Sequence, residues 1–134
     1  RGLPAEAGRR ADLNPPTLLV VDDEARILSA LQRSLRREGW RVLTAGTPDE
    51  AMRLLRDEPV DAVLSDHKMP RVSGLDVLEA AARLRPSAVR LLISGWPDEI
   101  PPERLAALGV AALIPKPWDD AELKRILREA LAKT

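Results

Sequence analysis

Five polar side chains stand where apolar runs of this sequence end. Asp22 and Asp23 follow "TLLVV", Asp66 follows "VDAVLS", Ser94 closes "AVRLLIS", and Lys116 follows "VAALIP". Three carboxylates, a hydroxyl and an ammonium form a set suited to a hard divalent cation and a phosphoryl group. Crowded carboxylates repel, so at least one pKa rises unless a cation joins them. Mg²⁺ seeks oxygen ligands in an octahedron, keeps several waters, and typically takes one or two carboxylates plus a phosphate. Asp22, Asp23 and Asp66 meet that demand. Lys116 offers a point charge to phosphate oxygens, and Ser94 offers a hydroxyl donor. Plainer roles exist for each residue taken alone. An Asp after a strand commonly caps the next helix, a Ser before Gly95 suits a turn, and a single Lys suits a solvated loop. His67, the only histidine, reads as a loop residue. A Ser-His-Asp triad is disfavoured, because Asp66 and His67 are chain neighbours and no G-x-S-x-G elbow occurs. The joint placement favours the cluster, provided that the fold brings these strand ends together.

The elements that must do so are legible as alternating runs. Strands are predicted over 17–21, 40–46, 60–65, 88–94 and 110–115, with a helix after each. Ile27, Leu28, Leu31 and Leu35 recur at helical spacing and stop at Gly39. The second helix has Thr47 as cap, Pro48 at its first position and Glu50 three residues after the cap; it ends before Pro59. The third starts at Gly74 and is closed by Pro86. The fourth starts late, at Pro102, and is short. The last is capped near Asp119 or Asp120. Strands that alternate with helices pair in parallel through right-handed crossovers, and nearly continuous apolar runs suit strands buried on both faces. The predicted class is α/β: a flavodoxin-like doubly wound five-stranded parallel sheet, order 2-1-3-4-5, with five helices. Ligands of such sheets bind outside the carboxyl ends of the strands, where the five polar residues fall.

Bulk composition narrows the function classes. A chain of 134 residues suits one domain, here 17–134, preceded by a flexible tail or linker over 1–16 that mixes Gly, Pro, Arg and Ala. Lys plus Arg equal Asp plus Glu at 21 each, so no global charge draws the chain to nucleic acid or to an anionic membrane, and no recognition helix remains after the five β/α units. Without cysteine, disulfides, thiolate zinc sites and cysteine nucleophiles are excluded. No apolar run approaches a membrane span, and the first residues lack the apolar core of a signal peptide; a cytoplasmic location is the expectation. With three Trp and no Phe or Tyr, stacking platforms for single-stranded nucleic acid are lacking.

Four stretches, "VVDDE" (20–24), "LSDHKMPRVSGLDVL" (64–78), "LLISG" (91–95) and "IPKPW" (114–118), resemble the receiver domain of bacterial two-component response regulators. The resemblance runs from about Thr17 to the end. It implies that Asp66 is the phosphoacceptor and that Asp22 and Asp23 are the acidic pair that places Mg²⁺. The ion would be held by Asp23, Asp66 and the backbone carbonyl of Lys68, with Asp22 acting through a metal-bound water. Ser94 matches the switch hydroxyl of that family and Lys116 its lysine. The implied partners are a sensor histidine kinase or phosphotransfer protein and, on the switched face, an output domain or protein partner, with homodimerisation through the last β/α units as one arrangement. The implied chemistry is limited to the protein's own phosphorylation and dephosphorylation. Three departures stand out. Leu113 occupies the strand-five position where many receivers carry Phe or Tyr. Pro101 and Pro102 interrupt the start of the fourth helix. Lys68 and Trp96, each two residues beyond a site residue, are expected to border the phosphoryl pocket, with Trp96 shielding an acyl phosphate from water. Two alternatives remain: a receiver-like interaction module that is not phosphorylated, and a haloacid dehalogenase type phosphatase. The latter needs a D-x-D after strand one that "DDEA" lacks.

Overall fold

A computed structural model describes residues 15–132. Residues 1–14 of the expected tail lie outside the described residues. In chain order the elements are β1 (Thr17–Val21), α1 (Ala25–Arg36), β2 (Arg41–Ala45), α2 (Pro48–Asp57), β3 (Ala62–Asp66), α3 (Gly74–Leu84), β4 (Val89–Ser94), a 3₁₀ turn (Pro97–Glu99), α4 (Pro102–Ala107), β5 (Val110–Pro115) and α5 (Asp120–Ala132). The strands form one parallel sheet in the order β2-β1-β3-β4-β5, as the alternation predicts.

β1 and β3 are buried along their whole length, and their alternate residues feed two cores. Leu18, Val20 and Leu64 face Leu31 and Leu35 of α1 and Leu123 and Leu127 of α5. Leu19, Val21 and Val63 face Leu54 and Leu55 of α2 and Leu75 and Leu78 of α3. This two-residue period is what a strand between two helical layers requires. Each such side chain contributes about 1.5–3 kcal/mol by leaving water, so the centre of the sheet is its rigid part.

Local chemistry sets the helix starts. Thr47 Oγ1 accepts a hydrogen bond from Glu50 N at 3.2 Å, but the Glu50 carboxylate reaches past the cap and accepts from Gly46 N at 2.8 Å. α5 is capped by Asp119, whose carboxylate accepts from Ala121 N and Glu122 N. α3 carries a reciprocal capping box: Ser73 Oγ accepts from Asp76 N, and Asp76 Oδ2 accepts from Ser73 N. α4 begins at Pro102, lasts six residues and buries none of them.

The predicted third strand starts two residues early. Asp61 instead ties the entry of β3 to β1: its carboxylate accepts from Thr17 N at 2.7 Å, and its backbone N donates to Thr17 O at 2.8 Å. Because the strands are parallel, all five carboxyl ends share one rim. Each helix returns the chain to the opposite rim, so α5 ends at the edge where β1 begins.

Candidate functional site

Asp66 is the last residue of β3 and only 7% exposed. Its main chain is held on both sides. It lies opposite Ile93 in the β3–β4 register, and pairing continues as His67 N donates to Ile93 O at 2.8 Å. The loop then closes where Gly74 N donates to His67 O at 2.7 Å. Gly74 is required at this point, since a Cβ there would overlap the Asp66 carbonyl oxygen and stand 2.8 Å from Leu92 Cδ1. Asp22, one residue beyond β1 and also buried, donates from its N to Ala45 O and accepts from Glu24 N at Oδ1, 2.9 Å away. Lys116 leaves β5 with its N bonded to Ser94 O at 2.9 Å, and its bond to Pro117 is cis. Its ammonium lies 2.8 Å from Asp66 Oδ1 and 3.7 Å from Asp22 Oδ2.

Residues 22, 23, 66 and 116 therefore meet, as their positions in the sequence imply. Oxygens of Asp22, Asp23 and Asp66 all lie within 4.8 Å of one another, with Asp23 on the exposed side. Burial, the largest cause, pushes the Asp22 carboxyl up to about 6; the charges of Asp66 and Asp23 push the same way, while the Glu24 N–H and Lys116 oppose them. For Lys116, burial works against its charge. Its hydrogen bond to Asp66 and the carboxylates of Asp66, Asp22 and Glu24 together outweigh burial, so its pKa stands above the ordinary lysine value. Three carboxylates against one ammonium leave a negative excess when all are ionised. A small divalent cation with oxygen preference fits that donor set. The helix-cap explanation fails for Asp22, Asp23 and Asp66, because Glu24 caps α1 without a side-chain bond and Ser73 caps α3.

Ser94 stands differently. It is 1% exposed, and its Oγ accepts from Trp96 N at 3.0 Å and lies 3.4 Å from His67 Nδ1. Among the described residues it makes no hydrogen bond to Asp66. Burial and the neighbouring Lys68 charge lower the His67 pKa. No hydrogen bond joins His67 to Asp66 among the described residues, so no triad assembles. The Lys68 side chain turns to Glu99, with Nζ 3.4 Å from Oε2, and lies 4.2 Å from the centre of the Trp96 ring. Trp96 is 55% exposed.

Sequence reasoning missed three contributors. Ser73 and Asp76 were legible as an S-x-x-D signature. The backbone approach at Gly74 and the reach of Glu99 to Lys68 carry no local signal. A groove of about 410 Å³ opens beside Asp23, between Pro48 and Asp49 on one side and Met69, Pro70 and Arg71 on the other. A larger one, about 560 Å³, lies at the opposite rim around Arg90, Gly109 and Arg125, far from the carboxylates.

The sequence model of the response regulator receiver domain matches residues 18–128. The hydrogenase transcriptional regulatory protein HoxA of Bradyrhizobium diazoefficiens is 40% identical over 118 residues, covering 86% of this chain and 24% of that protein. Among solved structures, a signal receiver domain of an HD domain-containing protein from Pseudomonas fluorescens superposes with a TM-score of 0.82 at 33% identity, covering 88% of this chain and 95% of that one. The receiver domain protein (CheY-like) of Methanospirillum hungatei gives 0.80 at 29%, covering 88% and 94%. The chain belongs to the response regulator receiver domain family, whose members are signalling modules, and its acidic pocket fits the phosphoryl-acceptor site of that family. It spans about a quarter of the length of the HoxA relative. Among the described residues, no helix is long and apolar enough to cross a membrane.

Proposed function

We propose that Asp66 accepts a phosphoryl group from a phosphohistidine on a sensor histidine kinase or phosphotransfer protein. One carboxylate oxygen attacks phosphorus, a P–O bond forms, and the P–N bond breaks as the imidazole leaves with its electron pair and takes up a proton. The protein's task is positioning and charge neutralisation. The observation that carries this reading is the meeting of Asp22, Asp23 and Asp66 within 4.8 Å, with the Lys116 ammonium 2.8 Å from Asp66.

β3 and the Gly74 contact hold Asp66 still for attack. Lys116 offsets the charge of the carboxylate before transfer and of the phosphoryl oxygens after it. Asp22, Asp23, Asp66 and the Lys68 carbonyl would hold Mg²⁺, with Asp22 bound through a water. The ion supplies charge neutralisation at the phosphoryl oxygens.

Transfer replaces one carboxylate charge by about two negative charges and three acceptor oxygens. Ser94 Oγ, which accepts from Trp96 N and lies 3.4 Å from His67 Nδ1, then has a strong acceptor for its own hydroxyl proton, and turning toward it releases Trp96 N. That motion passes through the β4 exit to α4, β5 and α5. With Leu113 in place of an aromatic ring, the backbone carries the change. The affected face binds an output domain or protein partner, or a second copy of the chain, in the cytoplasm, and the chain itself contacts no nucleic acid. The intact acid cluster with its lysine speaks against an unphosphorylated interaction module. Incubation with acetyl phosphate and Mg²⁺, followed by intact mass, tests the reading. Wild type gains one phosphoryl mass and Asp66→Asn gains none; equal labelling of both would assign the acceptor elsewhere.

A further inference from the structure

We propose that Glu99 is a positioning residue: by drawing the Lys68 ammonium onto the Trp96 ring, it clasps the β4 exit to the β3 exit and restrains phosphorylation of Asp66. This rests on the reading of Asp66 as acceptor.

The clasp joins two loops that flank the site. Lys68 lies two residues beyond Asp66, and its ammonium is 3.4 Å from Glu99 Oε2 and 4.2 Å from the Trp96 ring centre. Trp96 is the exposed large apolar side chain of the described residues, and the Lys68 ammonium lies over its face. The segment held this way is short. Ser94 is buried at the end of β4 and Ile100, 4% exposed, is anchored in the core, leaving residues 95–99 as the span that can shift.

The clasp is coupled to the site by one hydrogen bond. Trp96 N donates to Ser94 Oγ at 3.0 Å. When the Ser94 oxygen turns away toward a phosphoryl group on Asp66, that bond is lost and the Trp96 N–H needs a new acceptor, which a shift of the 95–99 span would supply. A ring held by Lys68, itself held by Glu99, resists this. The clasp therefore favours the unphosphorylated arrangement. Both interactions are exposed, and such pairs are individually weak, so the restraint is a matter of about threefold in rate or affinity, not an on-off lock.

The test is a double-mutant cycle on the full chain. The initial rate of phosphorylation by acetyl phosphate with Mg²⁺, and the apparent affinity for beryllofluoride, are measured for wild type, Glu99→Gln, Lys68→Met and the double variant. Removing an acidic charge near the site attracts any anion, so Glu99→Gln alone is not decisive. The clasp predicts that Glu99→Gln raises both readouts about threefold when Lys68 is present and leaves them unchanged in the Lys68→Met chain. Simple charge attraction predicts the same increase in both backgrounds, and that result overturns the proposal, as does no increase in either. The Trp96 indole N–H resonance, identified by its loss in Trp96→Phe, reports the clasp without any phosphoryl chemistry and should move in Glu99→Gln and in Lys68→Met. An unmoved resonance also overturns the clasp. Failure of wild type to accept phosphoryl or bind beryllofluoride, with the resonance moving, overturns the reading of Asp66 instead and limits the clasp to a contact between loops.

Discussion

α3 and α4 follow the two strands that meet at Asp66 and Ser94, and the sheet grips them very differently. α3 has eleven residues, a reciprocal capping box and six buried positions, and its first residue rests against the Asp66 backbone. α4 has six residues, no side-chain cap and no buried position. The same contrast divides the polar rim. Asp66 ends, and Asp22 directly follows, a strand buried throughout, and both are fixed by backbone pairing to neighbouring strands, whereas the Trp96–Glu99 segment makes its own backbone bond within the 3₁₀ turn and is tied outward by the Ser94 hydroxyl and an exposed ion pair. The acidic pocket thus stands on the firmly held part of the sheet beside a loosely held exit, so stability is unevenly distributed along the rim.

The sharpest way to break this comparison is to cut both helices alike. Leu78→Ala, at a fully buried site of α3, is expected to cost about 2–5 kcal/mol in urea unfolding. Leu105→Ala, at a half-buried site of α4, should cost under about 1.5 kcal/mol. Equal losses would show that α4 is as firmly held as α3.

A smaller effect concerns the fixed carboxylates. Asp22 has a folded pKa of about 6, above its ordinary 3.8, so the folded state binds a proton more tightly than the unfolded chain. The cost of burying this charge is present above pH 6, falls as pH drops through 6, and is gone below 3.8. Thermal stability should therefore rise between pH 7 and pH 5 as far as this group governs it, and Asp22→Asn should stabilise the protein at pH 7 by about 1–3 kcal/mol. Saturating Mg²⁺ should suppress both gains. Loss of stability in Asp22→Asn would mean that its bonds to Glu24 and Lys116 outweigh its burial.

Smaller again is the cap that seats α3. Ser73→Ala should cost about 1 kcal/mol and speed amide exchange in the first turn of α3, leaving α4 untouched. Exchange rising in both helices would mean that the two exits are coupled more tightly than their contacts indicate.

The sheet order and the meeting of residues 22, 23, 66 and 116 were legible because apolar runs set the strands and polar residues mark where they end. The short α4 was legible from Pro101 and Pro102, whose rings allow a helix only from the second onward. What escaped depends on through-space fit. Glu99 is 31 residues from Lys68, and no spacing rule links them. Gly74 reads locally as a helix start, yet its role lies in the space it leaves for the Asp66 carbonyl. The Glu50 carboxylate has the right spacing for a capping box but satisfies Gly46, one residue before the cap, a choice made by side-chain reach that sequence spacing does not resolve.

The parallel sheet returns every helix to the rim opposite the carboxylates, so the start of β1 and the end of α5 both lie on the side away from Asp66. A fluorescent reporter or a neighbouring module joined at either point would hang below the domain like a handle. The acidic rim would stay unobstructed, and anything passed between that rim and the handle must be relayed through the body of the sheet.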